Sequence, residues 1–191
     1  MFLKLLSHLR SRLSNLLFHE SYGFCVVDPA GRVVTPRGYD RDGYLWTPNR
    51  VVDQGLNYAL NAALRADGVI SAWYLAPFAG NVTPNASVTA SNFASTLTEF
   101  TNYDEPNRVA WVPDGAATAG VIVNNTTPAV FTIGSGPQDS IYGAGLLSAQ
   151  AKGATTGVCF SAGRLQGGSG LLNLQEGYEV RLKYRITASS S

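Results

Sequence analysis

Residues 178–186 alternate without a break. Tyr178, Val180, Leu182, Tyr184 and Ile186 fall on one parity, and Glu179, Arg181, Lys183 and Arg185 on the other. A period of two sends successive side chains to opposite faces, so this segment is a strand with one apolar and one charged face. Such a strand needs pairing partners and a second layer over its apolar face. The preceding chain offers both. Strand-like runs over 69–78, 106–113, 119–124, 128–134, 139–148 and 156–163 are separated by turn signals. Those signals are Asp114-Gly115, Asn124-Asn125, Gly134-Ser135-Gly136-Pro137, Lys152-Gly153 and Gly167-Gly168-Ser169-Gly170. Short strands at this spacing predict a mainly β chain, an antiparallel β-sandwich over 49–191.

The N-terminal part has a different period. Phe2, Leu5, Leu6, Leu9, Leu13, Leu16 and Leu17 make one stripe at helical spacing, with Lys4, His8, Ser11, Arg12 and Asn15 opposite. This predicts an amphipathic helix over 1–20. Polar residues interrupt it too often for a signal peptide or a bilayer span. Three roles are open to the stripe: docking on a partner protein, packing on its own domain, or lying on a membrane surface. Docking is the leading expectation and the membrane the least favoured.

Residues 21–48 read as a hairpin and linker. Tyr22, Phe24, Val26 and Val33 are strand formers around an Asp28-Pro29-Ala30-Gly31 turn, and 36–48 is loop-like. A second, short helix is expected over 49–66. Asn49 would cap it, and Val52, Leu56, Leu60, Ala63 and Leu64 would form its inward face. Residues 80–95, rich in Asn, Thr, Ser and Ala, read as a long loop. Its Asn81 and Asn85 triplets fit turn chemistry.

Composition narrows the function classes. Charged residues make up 14% of the chain, and the net charge is +1. A globular chain ordinarily carries about 25% charged residues. No basic stripe marks a nucleic-acid surface. The two cysteines, Cys25 and Cys159, sit in apolar runs and read as buried free thiols. Both histidines, His8 and His19, lie outside the β-rich body, which therefore lacks the residue most zinc sites and nucleophile–base pairs need. Asp40-Arg41-Asp42-Gly43 is too short of acids for a calcium loop and reads as a solvated turn. Gly163 and Gly168 have the outer spacing of a phosphate loop, but Ser169 stands where its Lys belongs. No cofactor or metal is expected.

One stretch concentrates chemistry: Thr98 to Asp114 holds Glu99, Asp104, Glu105, Asp114, Arg108 and Trp111. Two carboxylates at a defined separation would suffice for hydrolysis. The alternative is structural. Leu97 and Phe100 would anchor in the core, Glu99 and Arg108 would pair and pin a loop, and Val109–Trp111 would begin a core strand. Trp73, Tyr74, Phe78 and Trp111 pose a similar choice between a sugar-binding platform and core packing, and core packing is the expectation.

The segment from Ala94 to Trp111, with Leu97-Thr98-Glu99, Tyr103, Arg108 and Trp111, resembles a family of small virion structural proteins of tailed bacteriophages, the capsid decoration or cement proteins. Before it come the helical Gly55–Leu64 and the Trp73-Tyr74 strand. After it come Ile141–Ser148 and the alternating Gly177–Ile186. The resemblance covers residues 50–188 and leaves 1–48 outside. It implies a jelly-roll-like sandwich on the outside of a capsid, contacting the major capsid protein or other virion proteins. It also implies a homo-oligomer, with trimer suggested by lattice symmetry, assembled in the host cytoplasm and without catalysis. A collar, tail or fibre-attachment protein is the alternative, and a carbohydrate-binding module a more distant one.

Overall fold

A computed structural model describes residues 16–35, 39–65, 68–136, 140–166 and 170–190. The chain is mainly β, built from two five-stranded antiparallel sheets. In order the elements are β1 (Leu16–Val27), β2 (Leu45–Pro48), β3 (Arg50–Val51), α1 (Asp53–Arg65), β4 (Trp73–Phe78), α2 (Phe93–Leu97), β5 (Val109–Trp111), β6 (Val121–Val123), β7 (Ala129–Thr132), β8 (Gly143–Leu147), β9 (Cys159–Arg164) and β10 (Glu179–Ser190). One sheet runs β2-β1-β10-β6, with β7 also on β10, and the other runs β3-β9-β8-β4-β5.

The alternating C-terminal segment is the spine of the first sheet. β10 pairs with β1 from Leu16↔Ser190 to Val27↔Glu179, so the strands nearest the two chain ends lie side by side. Tyr22, Phe24, Val26, Val180, Leu182 and Tyr184 point inward and meet Leu75, Ala144 and Leu146 of the second sheet in one buried core. The charged parity of β10 faces out but is not bare. Lys183 is buried, with Nζ 2.9 Å from Asn125 Oδ1 and 4.0 Å above the Tyr44 ring. Arg185 lies 4.5 Å over Trp46.

The second sheet is covered on both faces, which explains why β8 reads Gly-Ala-Gly-Leu-Leu with every residue buried. On its outer face Phe78 of β4 packs with Val88 of the Asn/Thr/Ser-rich segment and with Phe93 and Leu97 of α2. That segment is therefore a packed cover. Asn85 Oδ1 accepts from the Ser87 N–H and hydroxyl, and Asn92 Oδ1 from the Thr89 N–H, so its polar residues hold turns. Thr98 ends α2 in the left-handed region at φ 56°.

Three expectations need correction. Residues 1–15 of the predicted N-terminal helix lie outside the described residues. Leu16, Leu17, Phe18 and His19, however, are strand, paired with Ser190 to Thr187. A short apolar run fits either period, and pairing with β10 decides it. Second, 21–48 is no separate linker: β1 and β2 are strands of the first sheet, and the return arm of the expected hairpin is a single Val27↔Val33 bridge. Third, the 49–66 helix begins at Asp53, and Asn49 does not cap it. Asn49 Nδ2 instead donates to Ser161 Oγ at 3.2 Å. The inward face of α1 is also not the leucine face. Val52, just before the helix, is buried, but Leu56, Leu60 and Leu64 are 38%, 58% and 78% exposed and Ala63 is exposed too. Gly55 explains the rotation. Its backbone lies against the Phe160 carbonyl of β9, where any Cβ would collide.

Candidate functional site

The chemistry-bearing stretch forms its strongest contact within itself. Arg108 and Glu99 are both fully buried and joined in two parallel bonds, Nε–Oε1 at 2.8 Å and Nη2–Oε2 at 2.7 Å. Two further guanidinium N–H groups donate to the carbonyls of Ala149 at 2.9 Å and Ala154 at 3.2 Å. Gly153 N–H donates to Glu99 Oε2 at 3.1 Å. The pair therefore clamps the 149–154 loop to the end of α2, with its charges matched. Lys152 of that loop sits 3.6 Å over the Tyr103 ring and donates to the Tyr103 carbonyl at 2.6 Å. Leu97 and Phe100 are buried beside it.

Of the other acids of the stretch, Glu105 and Asp104 lie, with Glu99, within electrostatic reach of Lys152. Glu105 accepts from Thr132 N–H and hydroxyl. Asp114 accepts from Asn125 N–H, Thr126 N–H and Thr126 hydroxyl, and the Thr126 bonds hold its carboxyl below the usual range. Asp28 and Asp40 do the same work elsewhere. Asp28 caps Ala30 and Arg32, and Asp40 caps Asp42, Tyr44 and the Trp46 indole, so Asp40–Gly43 is a turn. Among the described residues, no three His, Cys, Asp or Glu are grouped so that they could hold a metal ion.

The aromatic platform is not assembled either. Phe78 is fully buried. Trp111 is buried, pairs with Trp73 across β4 and β5, and donates its indole N–H to the Tyr184 carbonyl at 3.3 Å. Trp73 is half-buried, edge-on to Tyr58 at 5.3 Å and Phe160 at 5.5 Å. Tyr58, Trp73, Trp111, Phe160 and Ile186 line a small open pocket of about 80 Å³. Cys25 and Cys159 are free and buried, and burial pushes the Cys159 thiol up to about 12.

A second buried acid has the opposite surroundings. Glu20 lies on the inward parity of β1, one step beyond Tyr22, and is 6% exposed. Neither carboxylate oxygen meets a donor at hydrogen-bonding geometry, and the buried Asn49 Oδ1 beside it is also unpartnered. Burial pushes the Glu20 carboxyl up to about 7, and nearby Tyr184, Asn49 and Ser161 offset only part of that. Next to it runs a buried hydroxyl chain, Tyr22 to Ser161 to Tyr184, each step 2.8 Å. Glu20 also lines an open cleft of about 420 Å³, with His19, Trp46, Asn49, Arg185 and Thr187. Nothing in the stripe reading of 1–20 marked it. The one available signal was parity, since counting back from Phe24 and Tyr22 turns Glu20 inward.

A comparison with protein-family models and with characterised proteins found no match to this chain.

Proposed function

We propose that this chain is a non-enzymatic virion structural protein, a jelly-roll-like sandwich that decorates a bacteriophage capsid and stabilises it by bridging capsid subunits. The observation that carries this reading is what the carboxylates do. Asp28, Asp40, Glu99, Glu105 and Asp114 each hold backbone amides or an internal arginine, so they rigidify loops. A body whose acids fasten its own loops suits a passive bridging role, and it agrees with the resemblance of residues 94–111 to decoration proteins. The low charge, 14% of residues, leaves broad neutral surface for contact with the major capsid protein and with further copies. A protein that binds only the assembled shell stabilises it by mass action, by about 2.7 kcal/mol per site at a hundredfold excess over Kd.

The test is co-sedimentation of the purified chain with pre-assembled capsids lacking it. Saturable binding in a symmetric stoichiometry, with a raised capsid melting temperature, is the expected result. Absence of binding at any tested concentration overturns the reading. Labelling that places the copies on a collar or tail replaces it with the attachment-protein alternative.

A further inference from the structure

We infer that Glu20, Asn49, Ser161 and Tyr184 form a proton-operated latch on the crossover between the two sheets, closed while Glu20 is protonated and released when it ionises. The crossover is short. β2 ends at Pro48 and β3 begins at Arg50, so Asn49 alone carries the chain from one sheet to the other. Its main-chain N–H donates to the Glu20 carbonyl at 3.2 Å, and its Nδ2 donates to Ser161 Oγ of β9 at 3.2 Å. Beyond it β3 has only two residues, set against Ala162 and Ser161. Three buried acceptor atoms stand here without a donor: both carboxylate oxygens of Glu20 and Asn49 Oδ1. Acceptors left so inside a fold are costly, and a proton on Glu20 is the donor they lack.

That one proton closes a ring. A protonated Glu20 donates to Asn49 Oδ1, and Asn49 Nδ2 donates to Ser161 Oγ. The Ser161 hydroxyl then donates to Tyr184, 2.8 Å away, and the Tyr184 hydroxyl turns to the second Glu20 oxygen. Tyr22, also 2.8 Å from Ser161 Oγ, fills the acceptor site left on it. The ring ties β1, the crossover, β9 and β10 together. Ionisation breaks it twice. Asn49 Oδ1 loses its donor, and the interior gains a charge to which Tyr184, Asn49 and Ser161 bring no cation. The open cleft that Glu20 and Asn49 both line gives water a route to the carboxylate. The neighbours leave the proton to Glu20. Burial pushes the Tyr22 and Tyr184 phenols well up and the Cys159 thiol of β9 to about 12, so these stay neutral near pH 7. On the cleft, His19 of β1 is exposed and Arg185 of β10 lies over Trp46, while Arg50 of β3 is exposed. The latch stands whether or not the chain decorates a capsid.

The experiment is amide hydrogen exchange on the full chain at about pH 5.5 and about pH 8.5, either side of the Glu20 value, corrected for the intrinsic rate at each pH. Glu20→Gln and His19→Gln are the variants. Glu20→Gln holds the ring closed at every pH, because its amide nitrogen donates to Asn49 Oδ1 and its amide oxygen accepts from Tyr184. In the unaltered chain, protection of residues 49–52 should fall on the order of tenfold or more from the lower to the higher pH, while β4 and β8 keep theirs. Glu20→Gln should abolish that fall, and His19→Gln should leave it in place. Equal protection of 49–52 at both pH values in the unaltered chain overturns the inference, whatever the variants do. A fall that persists in Glu20→Gln overturns it too. A fall abolished by His19→Gln assigns the proton to His19 and overturns the latch. A fall shared equally by β4 and β8 is loss of the whole fold, with no local latch, and also overturns it.

Discussion

Two buried carboxylates in this molecule are opposites. Glu99 sits in a closed set of donors: a guanidinium on two edges and the Gly153 amide on a third contact. Glu20, equally inaccessible, faces hydroxyls and an amide oxygen without a donor at bonding geometry. Burial disfavours the charged form in both places, and only at Glu99 does an opposite charge answer it. One acid is therefore a permanent ionic fastening. The other is a group whose charge the fold resists, and whose protonated form supplies a donor where Asn49 Oδ1 lacks one. Inaccessibility alone does not define a buried acid; its donors do.

The largest expected effect comes from breaking the closed set. Arg108→Ala leaves the buried Glu99 without its guanidinium partner and should cost about 3–5 kcal/mol in urea unfolding at pH 7. A combined Glu99→Leu and Arg108→Met variant should lose much less than the sum of its single changes, because no stranded charge remains. A cost below about 1 kcal/mol for Arg108→Ala would mean that Glu99 is not fastened as described.

Glu20 should behave with the opposite sign. Below about pH 4.5 both folded and unfolded chains hold its proton. Between 4.5 and 7 the unfolded chain releases it while the folded chain keeps it, so stability falls as pH rises. Above 7 the loss is complete, and the raised value corresponds to about 3 kcal/mol. Glu20→Gln should therefore stabilise the protein at pH 8 and flatten this slope, with little effect at pH 4. The aspartates Asp28 and Asp114, held low by their hydrogen bonds, contribute stability that disappears as pH falls through the acid range. Subtracting the variant's profile from that of the unaltered chain isolates Glu20. Identical profiles would show that Glu20 titrates normally.

These acids differed in how readable they were from sequence, for a physical reason. Glu99 and Arg108 lie nine positions apart in one stretch of core-forming residues, so their pairing was legible. Their further partners, Ala149, Gly153 and Ala154, come from a distant loop and were not. Glu20 sat at the end of a helical-looking stripe that the pairing of β1 with β10 overrides, so its inward face was hidden. The sandwich itself followed from the alternation at 178–186 and the regular turn signals. β2 and α2 did not, because four- and five-residue elements carry too little periodicity. The leucine face of α1 was assigned inward because its pattern is regular, and the close approach of Gly55 to β9 overturned that. Local pattern reveals which residues are apolar; contacts remote in sequence decide which way they turn.

The hydroxyl chain beside Glu20 sharpens the contrast at smaller magnitude. Ser161→Ala removes the central link between Tyr22 and Tyr184 and leaves two buried phenols without that partner. It should cost about 1–3 kcal/mol. It should also move the Glu20 titration further up, since Ser161 is one of the groups that offset its burial. The same substitution should leave the Glu99–Arg108 coupling unchanged, because the two networks share no residue. A change in that coupling would join regions that the contacts keep separate.

The smallest effect is expected at Glu105, which serves as the calibration between the two buried acids. It is only partly buried and accepts from Thr132 N–H and hydroxyl. Water can replace those bonds when they are removed, so Glu105→Gln should cost about 0.5–1 kcal/mol. Urea midpoints of the variant and the unaltered chain measure it. If Glu105→Gln instead matched Arg108→Ala in magnitude, the contrast between a closed set of buried donors and a cap that water can replace would fail.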